Sequence, residues 1–202
     1  MFRDPEKAAR WLVLTLVLIL LKFIVYVYDS DPQAFFGDSG SYLTTALSKW
    51  IPPDRSFVYG FVVRALILNS HSLNSVVAFQ TLAGVGTALL VARMLTRYFQ
   101  MQFLPASLIA VALALEPQQL LFERFVLTES LSALIFATMI LCGLEYLFRG
   151  RIRHLIFFQI TGTLLVAFRV TFAPLILVAS ISLPFIRYLL GEKRAPASTR
   201  AR

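Results

Sequence analysis

Long runs of Leu, Ile, Val and Phe recur along the chain, separated by short segments that carry charge, proline or glycine. A bilayer-crossing helix needs roughly 17–25 predominantly apolar residues. Residues 11–28, 76–95, 103–121, 131–148, 152–168 and 172–190 meet that requirement and predict about six spans. Residues 57–68 are also apolar, but the run is only about a dozen residues long and contains Arg64. It is too short to cross and reads as a helix lying in the membrane interface. Residues 42–50, ending in Lys49 and Trp50, read as a second, weaker interfacial helix.

Charge gives this layout a direction. With the N-terminus in the cytoplasm, the inner segments hold Arg3, Lys7, Arg10, Arg93, Arg97, Arg149, Arg151, Arg153, Arg187, Lys193, Arg194, Arg200 and Arg202. Only Lys49, Arg55, Arg64, Arg124 and Arg169 fall outside, and Lys22 lies in the outer half of the first span. Basic residues concentrate in cytoplasmic loops, so this bias sets the orientation. The acids run the other way, with Asp29, Asp31, Asp38, Asp54, Glu116, Glu123 and Glu129 outward. Counting 57–68 as a span would scramble both distributions. The expected fold is therefore an all-α, polytopic transmembrane helix bundle with both termini inside. Residues 1–190 form one module, and the polar, basic stretch 191–202 is expected to be a disordered cytoplasmic tail.

Composition agrees with the membrane class. Of the 202 residues, 58% are hydrophobic and 15% charged, against about 25% charged in soluble domains. Mean hydropathy is +0.74. The net charge of +8 belongs to topology signals and anionic-lipid contacts, because its residues cluster beside span ends; it is not a nucleic-acid footprint. The first run lacks a small-residue cleavage site before Asp29 and is followed by more spans, unlike a cleaved signal peptide. Cys142, the one cysteine, sits in an apolar run and reads as a small buried hydrophobe.

Two acidic motifs fall on the same outer side. One is Gly37-Asp38-Ser39-Gly40-Ser41-Tyr42; the other is Glu123-Arg124-Phe125-Val126-Leu127-Thr128-Glu129. Carboxylates near hydrocarbon are costly unless paired or facing water. Asp38 could serve as a general base, with Tyr42 one helical turn on, or Asp38 or Ser39 could simply cap the following helix. Glu129 could act beside it, or could only complement a helix N-terminus capped by Thr128. Arg55, Arg64, Arg124 and Arg169 could clamp a phosphate, or snorkel to headgroups and pair with nearby acids. Glu116, preceding Pro117, is expected to pair with Lys22. There is no phosphate-cradling glycine loop, no Cys/His metal pattern and no serine nucleophile elbow. His71 and His154 fall on opposite sides of the membrane in this topology, and no internal repeat supports a transporter built of two halves.

The order of these motifs carries a resemblance. A span, an outer Gly-Asp-Ser-x-x-Tyr-Leu, the segment Pro52-Pro53-Asp54-Arg55-Ser56-Phe57-Val58-Tyr59, a short apolar helix, further spans and Leu127-Thr128-Glu129-Ser130-Leu131 follow one another. This resembles the N-terminal module of the C-type (GT-C) integral-membrane glycosyltransferases, in the branch of protein O-mannosyltransferases and aminoarabinose transferases. The resemblance covers most of residues 8–190 and departs from the family's pattern at Ser56 and Gly60, where proline is expected. It implies that Asp38 and Glu129 are catalytic, that Tyr42, Arg55, Arg64, Glu123, Arg124 and Arg169 bind substrate, and that the donor is a polyprenyl-phosphate-linked sugar used at the outer face of the bacterial inner (plasma) membrane. Glu129 could also help bind a divalent cation, Mg or Mn, since hard cations prefer carboxylate oxygens. Family members usually have more spans, so a minimal or truncated enzyme and a non-catalytic subunit or lipid-binding scaffold that assembles with a second membrane subunit are both expectations.

Overall fold

A computed structural model describes residues 5–52 and 55–194, with side chains described through residue 189. The described residues fold into nine α-helices: α1 (Pro5–Tyr28), α2 (Asp38–Ser48), α3 (Phe57–Ser70), α4 (Asn74–Tyr98), α5 (Phe103–Ala114), α6 (Pro117–Arg124), α7 (Glu129–Arg149), α8 (Ile152–Phe168) and α9 (Ala173–Arg194). A 3-10 turn, Val170–Phe172, joins α8 to α9. The one extended pairing among the described residues is an isolated parallel bridge between Gln33 and Phe125.

An α-helix rises about 1.5 Å per residue. The 24, 25 and 21 residues of α1, α4 and α7 can therefore each cross a bilayer's hydrocarbon, roughly 30 Å thick. The α9 region is a fourth helix of that length and apolarity, and α5 with α6 makes a fifth candidate bent by 48°. α3 and α8 are shorter apolar helices of 14 and 17 residues. Several helices of this kind suit a membrane protein. α9 continues as helix to Arg194, past Gly191 where the polar tail was expected to begin; residues 195–202 lie outside the described residues.

α4 is the centre of one half of the bundle and packs against α1, α3, α5, α6 and α7. Small residues make this possible. Val85, Ala88 and Ala92 of α4 meet Ala110 and Ala114 of α5 and Leu14 and Leu18 of α1 in one buried cluster. Small residues let helix backbones approach closely, as they do where membrane helices pack. A second cluster, Met139, Phe158, Leu165 and Ile176, joins α7, α8 and α9.

The run 103–121 is not one straight span. It breaks after Ala114 because Pro117 has no N–H to continue the helix. Glu116 then acts as the N-cap of α6, its Oε2 accepting from the Gln119 backbone N–H at 2.6 Å. This corrects the expected pairing of Glu116 with Lys22. Lys22 instead donates to Glu123 Oε1 at 2.6 Å, and the two side chains are 1% and 0% exposed. The Gln119 side-chain amide donates to the same oxygen at 3.1 Å. A Cβ built on Gly84 of α4 would overlap the Glu123 carboxylate, so a glycine is required where the pair is seated.

Removing one member of a buried pair leaves an uncompensated charge, at a cost of about 3–5 kcal/mol, whereas replacing both with apolar residues is often nearly neutral. Lys22→Met is expected to lower stability by roughly that amount, and adding Glu123→Leu to restore most of it. Thermal unfolding in detergent checks this; a single variant that melts with the wild type removes the pair from any structural role.

Candidate functional site

At one end of the bundle four segments meet around an open cavity of about 710 Å³. Its lining comes from the start of α2 (Asp38, Tyr42), the entry to α3 (Arg55, Ser56, Phe57), the start of α7 (Thr128, Glu129) and the stretch Val166–Thr171. The two acidic motifs of the sequence thus reach a common space.

Local sequence explains how. Gly37 sits at φ 89°, a conformation that L side chains rarely adopt, and precedes α2 as its N-cap without any side-chain cap bond. Asp38 is the first helical residue, and its carboxylate is not spent on capping. It meets Arg55 Nη2 at 2.8 Å. α2 and α3 lie side by side in the same direction: Asp38 meets Arg55, the Tyr42 and Tyr59 rings stack edge to face at 4.9 Å, and Arg64 reaches the last turn of α2. Residues 55–57, at the entry to α3, lie at the start of α2, where Arg55 meets Asp38.

Glu129 repeats the arrangement. Thr128 precedes α7 without making a cap bond from its side chain. Glu129 Oε1 accepts from Arg169 Nη1 at 2.8 Å. Both Arg–carboxylate pairs are part-exposed. Such pairs contribute only ~0–1 kcal/mol, so stability is a weak reason for placing two of them in one cavity. Ser56 Oγ donates to the Ala167 carbonyl and ties the entry of α3 to the end of α8.

Tyr42 forms the floor, buried against Tyr59, which packs on Phe168 at 6.4 Å. Burial pushes the Tyr42 phenol above its ordinary range; its hydrogen bond with Thr128 works against this, while the negative charges of Asp38 and Glu129 add to it and Arg55 opposes. The phenol is therefore a protonated hydrogen-bonding group beside both acids.

The remaining residues singled out from sequence do not line the cavity. Arg64 donates to the Ala46 and Leu47 carbonyls at 2.6 and 3.3 Å, closing the end of α2. Glu123 is enclosed with Lys22. Arg124 is buried, with its Nε 3.5 Å from Asp29 Oδ2 and its Nη1 3.5 Å from Thr81 Oγ1. Conversely, Ser56, Thr128 and the stretch 166–171 line the cavity. Ser56 stood out in sequence only as a departure from proline, and Thr128 only as a candidate cap.

The described residues contain no group of three or more His, Cys, Asp or Glu side chains that could hold a metal ion. Asp38 and Glu129 are each engaged by a guanidinium, so they do not form a cation cage. Comparison with family models, with characterised proteins and with solved structures finds no match to this chain.

If these pairs serve a ligand more than the fold, Arg55→Gln and Arg169→Gln are each expected to change stability by no more than ~1 kcal/mol. Thermal melting of the purified variants checks this; a loss several times larger would make the pairs structural.

Proposed function

We propose that this chain is a GT-C-type membrane glycosyltransferase module that crosses the bacterial inner membrane six times with both termini in the cytoplasm. α1, α4, α5 with α6, α7, α8 and α9 are the spans; α8, at 17 residues, is at the short end of the range for crossing. Alternation then puts α2, α3, the α6–α7 connection and the α8–α9 turn together on the outer side. Arg93, Arg97, Arg149, Arg151, Arg153 and Arg187 fall at the opposite end, in keeping with the positive-inside rule.

The observation that carries the reading is the sharing of one open cavity by Asp38 and Glu129, each beside its own arginine. The donor is a polyprenyl-phosphate sugar, with its phosphate meeting a guanidinium. Arg55 makes that contact, and its move from Asp38 to the donor phosphate frees the carboxylate. Asp38 accepts the proton of an acceptor hydroxyl as that oxygen bonds to the anomeric carbon. The bond from that carbon to the phosphate oxygen breaks with inversion, and polyprenyl phosphate leaves with its added charge beside the guanidinium. Glu129, held by Arg169, orients the acceptor, and the Tyr42 hydroxyl supplies a further hydrogen bond.

A second reading rests on the same pairs: both carboxylates already have partners, which suits a lipid-binding subunit that assembles with a catalytic one. Transfer of labelled sugar from a polyprenyl-phosphate donor in proteoliposomes separates the two. The wild type is expected to turn over, and Asp38→Asn to lose about a hundredfold or more, the usual contribution of a general base. Wild-type turnover that survives Asp38→Asn ends the mechanism; lipid binding without turnover selects the subunit reading.

A further inference from the structure

We infer that Ser39, which lies outside the cavity, is the positioning residue that sets the relation of Asp38 to Glu129. The inference rests on the transferase reading for its kinetic arm only. Ser39 follows Asp38 in α2 and is 0% exposed. Its Oγ accepts from the Phe35 backbone N–H at 2.8 Å and donates to the Val126 carbonyl at 2.9 Å. Val126 lies three residues before Glu129 in the segment that delivers that acid. One hydroxyl therefore bridges the two acidic motifs.

The segment it grips is unusual. The carbonyls of Glu123, Arg124, Phe125 and Val126 are each taken by a donor distant in sequence. The Gln80 amide donates to Glu123 and Phe125 at 3.0 and 2.8 Å, and is itself held by the Tyr59 hydroxyl at 2.6 Å. The Gln33 N–H takes Arg124 at 2.9 Å, and Ser39 takes Val126. Of these donors, Ser39 is the one on the helix that bears Asp38. The others hold the connection in place, whereas Ser39 sets its backbone relative to α2, alongside the Tyr42–Thr128 hydrogen bond at the cavity. A displacement of about 1 Å at a reacting centre can cost on the order of a hundredfold in rate, so loss of this bridge falls on kcat.

The test has two independent readouts on the full chain in nanodiscs. Spin labels on Leu47→Cys in α2 and Leu121→Cys in α6, both exposed, report the relation of the two elements in a Cys142→Ser background. Ser39→Ala is expected to broaden or shift their distance distribution, and Ser39→Thr, which keeps the hydroxyl, to restore it. In the transfer assay Ser39→Ala is expected to lower kcat between about tenfold and a hundredfold with KM within about twofold, and Ser39→Thr to recover most of that loss. Ser39→Cys, with only a weak donor, carries the same comparison where the alanine variant does not fold. An unchanged distance distribution, or equal kcat in an enzyme that Asp38→Asn inactivates, overturns the inference. A wild type with no transfer at all removes the transferase reading and leaves the distance measurement to decide the role of Ser39.

Discussion

The ion pair between Lys22 and Glu123 is the interaction on which the arrangement at this end of the bundle depends. A buried pair stabilises when its geometry is good, and breaking it strands a buried charge; the Lys22–Glu123 contact is short, while Glu123 Oε2 makes no hydrogen bond among the described residues. Here Gln119 supplies a second donor to Glu123 Oε1, and Gly84 leaves α4 without a side chain where the carboxylate must sit. The pair joins α1 to α6 against α4. α6 is only 8 residues long and has little helical stability of its own, so its position is set by such contacts. Its last residue leads straight into the connection that presents Thr128 and Glu129. Disturbing the pair would therefore be felt at the cavity, although neither partner lines it.

The cavity's own charges are built on the opposite principle. Asp38 with Arg55 and Glu129 with Arg169 are part-exposed pairs, each joining two different elements. At ~0–1 kcal/mol they are cheap to exchange, against about 3–5 kcal/mol for losing one partner of the buried pair. A charged ligand can thus compete for Arg55 or Arg169 without loosening the bundle. A costly pair that holds the frame is thus separate from two weak pairs that face an opening, which suits the proposed exchange of a guanidinium from carboxylate to ligand.

Much of this was legible in the sequence, and the misses have physical causes. The long apolar helices and the short α2 and α3 followed from run length and charge, whereas α8, expected as a span, is a shorter apolar helix of 17 residues. Hydropathy averages over a window and so reads 103–121 as one run, although Glu116-Pro117 carries both signals of a fresh helix start, a capping acid and a proline at the first position. Read as one straight helix, the run pairs Lys22 with Glu116 and not with Glu123. Glu116 and Glu123 are two helical turns apart, on one face of a straight helix, and only the bend decides between them. The approach of Asp38 and Glu129 to one space was expected from sidedness. The departure of Arg64, Glu123 and Arg124 from it was not, because sidedness says nothing about whether a side chain faces the cavity or a neighbouring helix. Ser39 was visible only as a possible cap; its bond to Val126, 87 residues away, has no local signature.

The two positions that depart from the resemblance, Ser56 and Gly60, have local explanations. A Cβ on Gly60 would lie 2.6 Å from the Thr45 side chain and 3.2 Å from the Tyr42 carbonyl. A proline there would force α2 and α3 apart. Ser56 donates a hydrogen bond to Ala167, which proline cannot do. Both residues serve one geometry, in which α3 lies close along α2 and its entry is pinned to the end of α8. That geometry is also what brings Arg55 to Asp38, since the contact requires the two helices to run in the same direction with their starts together. Ser56 and Gly60 therefore work to the same end as the Asp38–Arg55 pair: they fix where the Asp38 carboxylate and its guanidinium partner meet.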